Sequence, residues 1–290
     1  MVLDTHTHAW GPPSPDRPWV NGAIAAAVDG FDVSAVYTAD RLLGDMDRNG
    51  VDEAVVVGYP ICDWRDNSYT LEAVESSDRL YGVVMVDPFA DGAADRLREC
   101  MAVDGVVGVR LGAACPYDRM WETFDPGVTW LRDAVEETEF WDAAVETDAA
   151  VQILCDHRQL DQALDLLDAY PELTYLFDHF AHAGPGVPLD EGTLARFEDV
   201  AAYDNAAVKV SEVVHRSEEG FPYADMHDHV RWFLEQFGRE RVVWGSDYPN
   251  VSDVATYGEA RHWLRHVETL SAADREWLLG RSFREHVGVA

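Results

Sequence analysis

The chain has 290 residues, with 54 acidic against 22 basic side chains and a net charge of −32 at pH 7. Its 47% hydrophobic content, with 10 Trp, 11 Tyr and 11 Phe, excludes a disordered chain despite that charge, and the charge itself makes nucleic acid and anionic membrane poor partners. No apolar run reaches the roughly 18 residues of a membrane-spanning helix, and the N-terminus lacks the basic and apolar regions of a signal peptide, so the expected location is the cytoplasm.

The acidic residues are spread along the chain, and Lys209 is the only lysine. That bias is similar to the proteomes of extreme halophiles, where salt screens the self-repulsion of a compact acidic surface. Cys62, Cys100, Cys115 and Cys155 form no Cys-x-x-Cys pair, so neither a zinc knuckle nor a dithiol redox motif is expected; they read as small buried hydrophobes.

The first expected strand runs from Val2 to His8 and carries Asp4-x-His6-x-His8. Side chains two apart on a strand share a face, so Asp4, His6 and His8 are expected to project together, and paired imidazoles suit a divalent metal. The Pro-rich stretch Gly11–Pro18 follows directly, flanked by Trp10 and Trp19, and reads as a lid or pocket wall. A helix is expected over Thr38–Asn49, a strand over Glu53–Val57, a helix over Asn67–Ser76, a strand over Leu80–Val86 and a helix over Ala90–Val103.

The fourth strand, Val106–Leu111, presents Arg110 on the face of Gly108, where a guanidinium suits a substrate carboxylate or lactone oxygen. A long loop from Gly112 to about Thr129 then carries Tyr117, Trp121 and Phe124. Parity leaves the fifth strand, Ala150–Leu154, open. If Val151, Ile153 and Cys155 face inward, His157 extends that row and reaches a metal; if Gln152 and Leu154 do, an amide stands there instead.

After a helix over Gln159–Ala169, the sixth strand, Thr174–Asp178, ends in Asp178 and His179, with His182 in the following loop. A helix over Asp190–Ala202 leads to the seventh strand, Ala207–Val210, where Lys209 and Ser211 share a face. His215 follows near the strand end. A helix over Ala224–Phe237 precedes the eighth strand, Val242–Gly245, which runs into Ser246, Asp247, Tyr248 and Pro249. His227, His229, His262, His266 and His286 fall in helices and read as packing or surface residues.

Eight strands alternating with helices predict an α/β chain folded as a single (β/α)8 barrel over residues 1–290, with chemistry at the C-terminal strand ends. No Gly-x-Gly-x-x-Gly follows the first strand, which argues against a doubly wound dinucleotide-binding sheet.

Three motifs in this order, Asp4-x-His6-x-His8, Leu176-Phe-Asp-His179 and Gly245-Ser-Asp-Tyr-Pro249, resemble the amidohydrolase superfamily, specifically its amidohydrolase-2 branch. The stretches Tyr37–Leu42, Gly50–Val55, Asn67–Tyr69, Gly82–Pro88 and Gly108–Leu111 extend the resemblance over nearly the whole chain. That branch includes pyrone-dicarboxylate and sugar lactonases, and decarboxylases of the aminocarboxymuconate-semialdehyde type. The resemblance implies one divalent ion, zinc by preference, held by His6, His8 and a carboxylate, with Asp247 both as ligand and as the base that takes a proton from water. It implies that His179 polarises a carbonyl or moves a proton. Gln152 at strand five resembles those lactonases that work with little or no metal.

The expected activity is hydrolysis of a small lactone or related carboxylated or polyhydroxylated compound. Asp247 and His179 are the expected catalytic residues; Arg110, Lys209, Trp10, Gln152 and Ser211 are the expected substrate contacts. The alternatives are non-oxidative decarboxylation of an aromatic or unsaturated acid, and an inactive barrel serving as a binding scaffold. The expected partner is a small molecule, and a homo-oligomer is compatible with the sequence.

Overall fold

The structure is a computed structural model that describes residues 1–15, 17, 36–59, 66–119, 124–187 and 191–289. Trp19, Trp121 and Cys62 lie outside the described residues, as does part of the Pro-rich stretch; Cys100, Cys115 and Cys155 are buried thiols. Among the described residues no helix is long and apolar enough to cross a membrane.

Eight parallel strands pair in sequence order: β1 Leu3–Thr7, β2 Glu53–Val57, β3 Leu80–Met85, β4 Val106–Leu111, β5 Ala150–Ile153, β6 Tyr175–Phe177, β7 Ala206–Val210 and β8 Val242–Trp244. The ring closes just beyond β8, where Asp247 N donates to His6 O at 2.8 Å and His8 N donates to Tyr248 O at 2.9 Å. This is a (β/α)8 barrel, whose strand ends gather polar side chains at one mouth.

The helices follow local sequence signals. Helix Ala39–Asn49 begins at Thr38, whose side chain accepts from Arg41 N, and stops at Gly50, which takes the left-handed conformation that glycine adopts without strain. Helix Tyr257–His262 opens with a reciprocal capping box between Thr256 and Glu259. The expected helix over Ala224–Phe237 divides into a 3₁₀ turn at Ala224–Met226 and an α-helix at His227–Phe237.

Two apolar layers hold the strands. The larger lies between the sheet and its helices, with Trp141, Phe177, Phe233, Trp244 and Trp263 among its buried members. The smaller fills the barrel: Leu3, Val55, Val57, Val83, Ala150, Leu176 and Val243 meet from six strands, and Phe283 of helix Ser282–Val287 packs against them. This apolar plug forms the floor on which the polar side chains of the mouth rest.

Candidate active site

The first strand departs from simple alternation. Asp4 pairs with Ala54 and Thr7 pairs with Val56, so three steps along β1 match two along β2. The extra residue is a bulge, which reverses the facing of the chain within the strand. His6 and His8 enter the barrel. Asp4 does not project with them: it accepts from Ser246 N at 2.8 Å and from Tyr257 OH at 2.9 Å, so its expected place beside the histidines is corrected. Burial pushes its carboxyl up to about 6, against the hydrogen bonds from Ser246, His6 and Tyr257. Gly245 makes room for the bulge, since a Cβ there would lie 2.7 Å from His6 Cβ.

His8 Nδ1 lies 2.8 Å from Val57 O and must carry the proton, because a carbonyl only accepts. Its Nε2 lone pair then points at Asp247 Oδ1, 3.1 Å away. His6 Nε2 lies 3.5 Å from the same oxygen and is buried with no hydrogen-bond partner among the described residues. Ligands about 2.0–2.1 Å from a tetrahedral zinc stand roughly 3.3–3.4 Å apart, and the two separations bracket that value. The residues therefore fit a divalent ion: His6 Nε2, His8 Nε2 and Asp247 Oδ1 are the atoms that would hold it. Burial alone would raise the Asp247 pKa, but His179, His8 and His6 hold it well below the usual carboxylate range.

On the other side of His6 stands a buried charge cluster. Asp178 Oδ2 accepts from Arg110 Nε at 2.8 Å, while Asp178 Oδ1 lies 3.3 Å from Lys209 Nζ and 3.4 Å from His6 Nδ1. Lys209 also donates to Thr5 O at 3.0 Å and to Gln152 Oε1 at 2.7 Å. The ammonium also lies 3.3 Å from His6 Nδ1, while its contact with Asp178 is one of charge. Burial lowers Lys209 to about 8, with Asp178 opposing the shift. Burial would raise Asp178, yet Lys209, His6 and Arg110 hold it well below its ordinary value. His6, Asp178 and His179 form a second group of possible ligands, but Arg110 and Lys209 already supply its positive charge.

The register of β4 and β5 pairs Arg110 with Gln152, and the Lys209 contact puts the Gln152 amide inside the barrel. His157, expected as the alternative metal ligand, begins a 3₁₀ turn capped by Asp156. Its Nδ1 lies 3.4 Å from Asp156 Oδ1, and it joins neither group of possible ligands. With Ala150 and Gln152 inward, Val151, Ile153 and Cys155 pack towards the helices, so the row that would lead to His157 faces away from the barrel interior.

His179 is buried and its pKa is lowered, chiefly by that burial. Its Nδ1 lies 2.9 Å from Ser211 Oγ and its Nε2 lies 3.4 Å from Arg110 Nη2. Since Arg110 only donates, the neutral ring carries its proton on Nδ1 and gives it to Ser211. Both His179 and Asp247 sit at positive φ, 52° and 62°, a conformation that costs energy in residues other than glycine and concentrates at functional sites. Trp10 stacks on Tyr59 at 4.6 Å between ring centroids, and Tyr59 packs on His8 at 4.8 Å. His215 bridges Glu212 and Asp253, which raise it to about 9 against the effect of burial.

A family model described as amidohydrolase matches residues 3–281. The chain belongs to the amidohydrolase family. This amidohydrolase is 26% identical over 270 residues to the L-fucono-1,5-lactonase of Burkholderia ambifaria, covering 92% of this chain and 86% of that protein. It is 27% identical over 256 residues to the 4-sulfomuconolactone hydrolase of Rhizobium radiobacter, covering 85% and 75%. Its fold is similar to that of an amidohydrolase from Burkholderia multivorans solved with bound zinc, with a TM-score of 0.75, 20% identity and full coverage of both chains.

Two residues of this amidohydrolase's site carried no signal in the sequence. Asn250 donates to Asp247 Oδ2 at 2.7 Å, and Tyr59 stands beside His8. Both lie in loops beyond the strand ends, where no periodicity reports side-chain direction. Asp178 was visible as a strand-end acid; its bonds to Arg110 and Lys209 needed the barrel's curvature.

Proposed function

We propose that this amidohydrolase hydrolyses the ester bond of a small lactone, with Asp247 as general base and Arg110, held by Asp178 and His179, polarising the scissile carbonyl. The observation that carries this reading is the convergence of the His6 and His8 imidazoles on one oxygen of Asp247, beside neutral His179 and the Arg110 guanidinium. The lactone hydrolases similar to it in sequence support the same substrate class.

A divalent ion held by His6, His8 and Asp247 would supply Lewis acidity and lower the pKa of water towards neutrality. Zinc is the ion we propose, supported by the donor set and by the zinc-bound structure of similar fold. Asp247 removes a proton from the attacking water as its oxygen bonds to the carbonyl carbon. Arg110 stabilises the negative charge that develops on the carbonyl oxygen. When the ring C–O bond breaks, the proton on Asp247 passes to the leaving alkoxide and gives an open hydroxy acid. Trp10 and Tyr59 form the apolar wall beside the reacting centre, and Lys209, Gln152 and Ser211 hold Asp178 and His179 in place.

We further propose a cytoplasmic enzyme of a high-salt cell, acting on a small molecule without nucleic-acid or membrane partners; the dispersed acidic charge supports this. The test is turnover of L-fucono-1,5-lactone, 4-sulfomuconolactone and 2-pyrone-4,6-dicarboxylate by zinc-supplemented protein at molar salt. Hydrolysis of at least one is expected. Inertness towards all three, together with carbon dioxide release from a hydroxybenzoate, would replace the lactonase reading with decarboxylation.

A further inference from the structure

We propose that Asn250 is a positioning residue that sets which oxygen of Asp247 faces the histidines, and that it links this carboxylate to the aromatic wall through Tyr59. The inference rests on the active-site reading above and adds a residue that the reading does not use.

A carboxylate has two equivalent oxygens and a broad, two-fold torsion about its terminal bond, so nothing intrinsic holds one oxygen towards a given partner. In this site the oxygens have different surroundings. Asp247 Oδ1 faces His8 Nε2 at 3.1 Å and His6 Nε2 at 3.5 Å. Asp247 Oδ2 accepts the Asn250 amide at 2.7 Å. The backbone brings the two together: Asp247 is left-handed, and Val251 N returns to Asp247 O at 3.3 Å, folding residues 247–251 into one turn. Asn250 is thus carried back over the acid three positions earlier.

The amide has a second face. The Asp247 carboxylate only accepts, so the amide N–H faces it and Asn250 Oδ1 is left to accept from Tyr59 OH at 3.4 Å. Tyr59 is held by stacking on Trp10 and by packing against the His8 ring. Asp247, Asn250, Tyr59 and His8 thereby close a ring of contacts between the loops after β8 and β2 and the strand β1. An Asn at position 250 is suited to this because it donates to the acid and accepts from the phenol at once; an Asp would set two carboxylates against each other.

Partners of this kind, one step behind a metal ligand, typically change metal affinity or activity by about 10–100-fold when removed. The test compares wild type, Asn250→Ala, Asn250→His and Tyr59→Phe. Zinc is titrated by calorimetry into metal-stripped protein, and kcat and KM are measured with L-fucono-1,5-lactone, alongside thermal melts at molar salt. Asn250→Ala is expected to weaken zinc binding at least about 10-fold and to lower kcat by a similar factor with KM held within about threefold. Asn250→His, which keeps an N–H donor, recovers part of both losses, and Tyr59→Phe gives a smaller loss in the same direction. Melting temperatures stay near wild type.

Asn250→Ala with wild-type zinc affinity and wild-type kcat would overturn the proposal, as would a loss confined to thermal stability. If wild type binds zinc but hydrolyses no lactone, the substrate reading fails while the zinc titration still decides the role of Asn250. If wild type neither binds zinc nor turns over a lactone, there is no working Asp247 for Asn250 to position, and the proposal falls.

Discussion

Lys209 Nζ lies 3.3 Å from Asp178 Oδ1, with both side chains fully buried. The one lysine of the chain therefore spends its charge inside the barrel. Replacing a buried cation without its partner leaves an acid in low dielectric, a loss that typically reaches about 3–5 kcal/mol. Arg110 remains on Asp178, so Lys209→Met should lose on the order of 3 kcal/mol, at the lower end of that range. Denaturant unfolding at molar salt measures it, and a loss well under 1 kcal/mol would show that the pair is dispensable. The same variant also loses the donor to Gln152 and Thr5.

Asp247→Asn removes the proposed base and the oxygen on which both imidazoles converge. Turnover of the identified lactone should fall at least about 100-fold, the lower range for a general base. Zinc measured by elemental analysis should drop in parallel, and His8→Ala should share that drop. Undiminished turnover in Asp247→Asn would remove it from the mechanism.

The pH dependence of stability carries the mark of Asp4. Its folded pKa is raised to about 6 from 3.8, mainly by burial. Between those values the folded state holds more protons than the unfolded one, so this group's contribution is fully present below 3.8 and is lost as pH rises through about 6. Asp4→Asn stays neutral and keeps an acceptor oxygen for Ser246 N. The stability of the variant relative to wild type should therefore improve steadily from pH 4 to pH 6. A difference that stays flat over that window would show that Asp4 titrates as an ordinary carboxyl.

Salt should stabilise the protein over a wide range. With a net charge of −32, screening relieves self-repulsion, so the melting temperature should fall progressively as potassium chloride is lowered from molar to millimolar. A melting temperature independent of salt would contradict the high-salt reading.

The barrel was legible because each buried strand is a short apolar run bounded by polar turns. Observed strand bounds differ from the expected ones by at most one residue at either end. The same local logic misread Asp4, since a bulge changes side-chain direction with no change in residue type. It left β5 undecided, because parity needs the neighbouring strand; the pairing of Arg110 with Gln152 supplied it. Asn250 and Tyr59 were invisible for a different reason. Their contacts span 191 residues, and no local pattern encodes a meeting between two loops.

The bulge in β1 has a consequence for assembly. Both of its sides reach far along the sequence: Asp4 bonds Ser246 across 242 positions, and His8 meets Asp247 across 239. The β1 segment therefore has no partner at the site until residue 247 has been made and the ring has shut. Closure and competence become a single event. A ligand that grips both β1 and residue 247 draws free energy from the closed form alone, so it acts as a clasp on the seam of the barrel. Truncation before residue 242 should abolish both the clasp and the site it fastens.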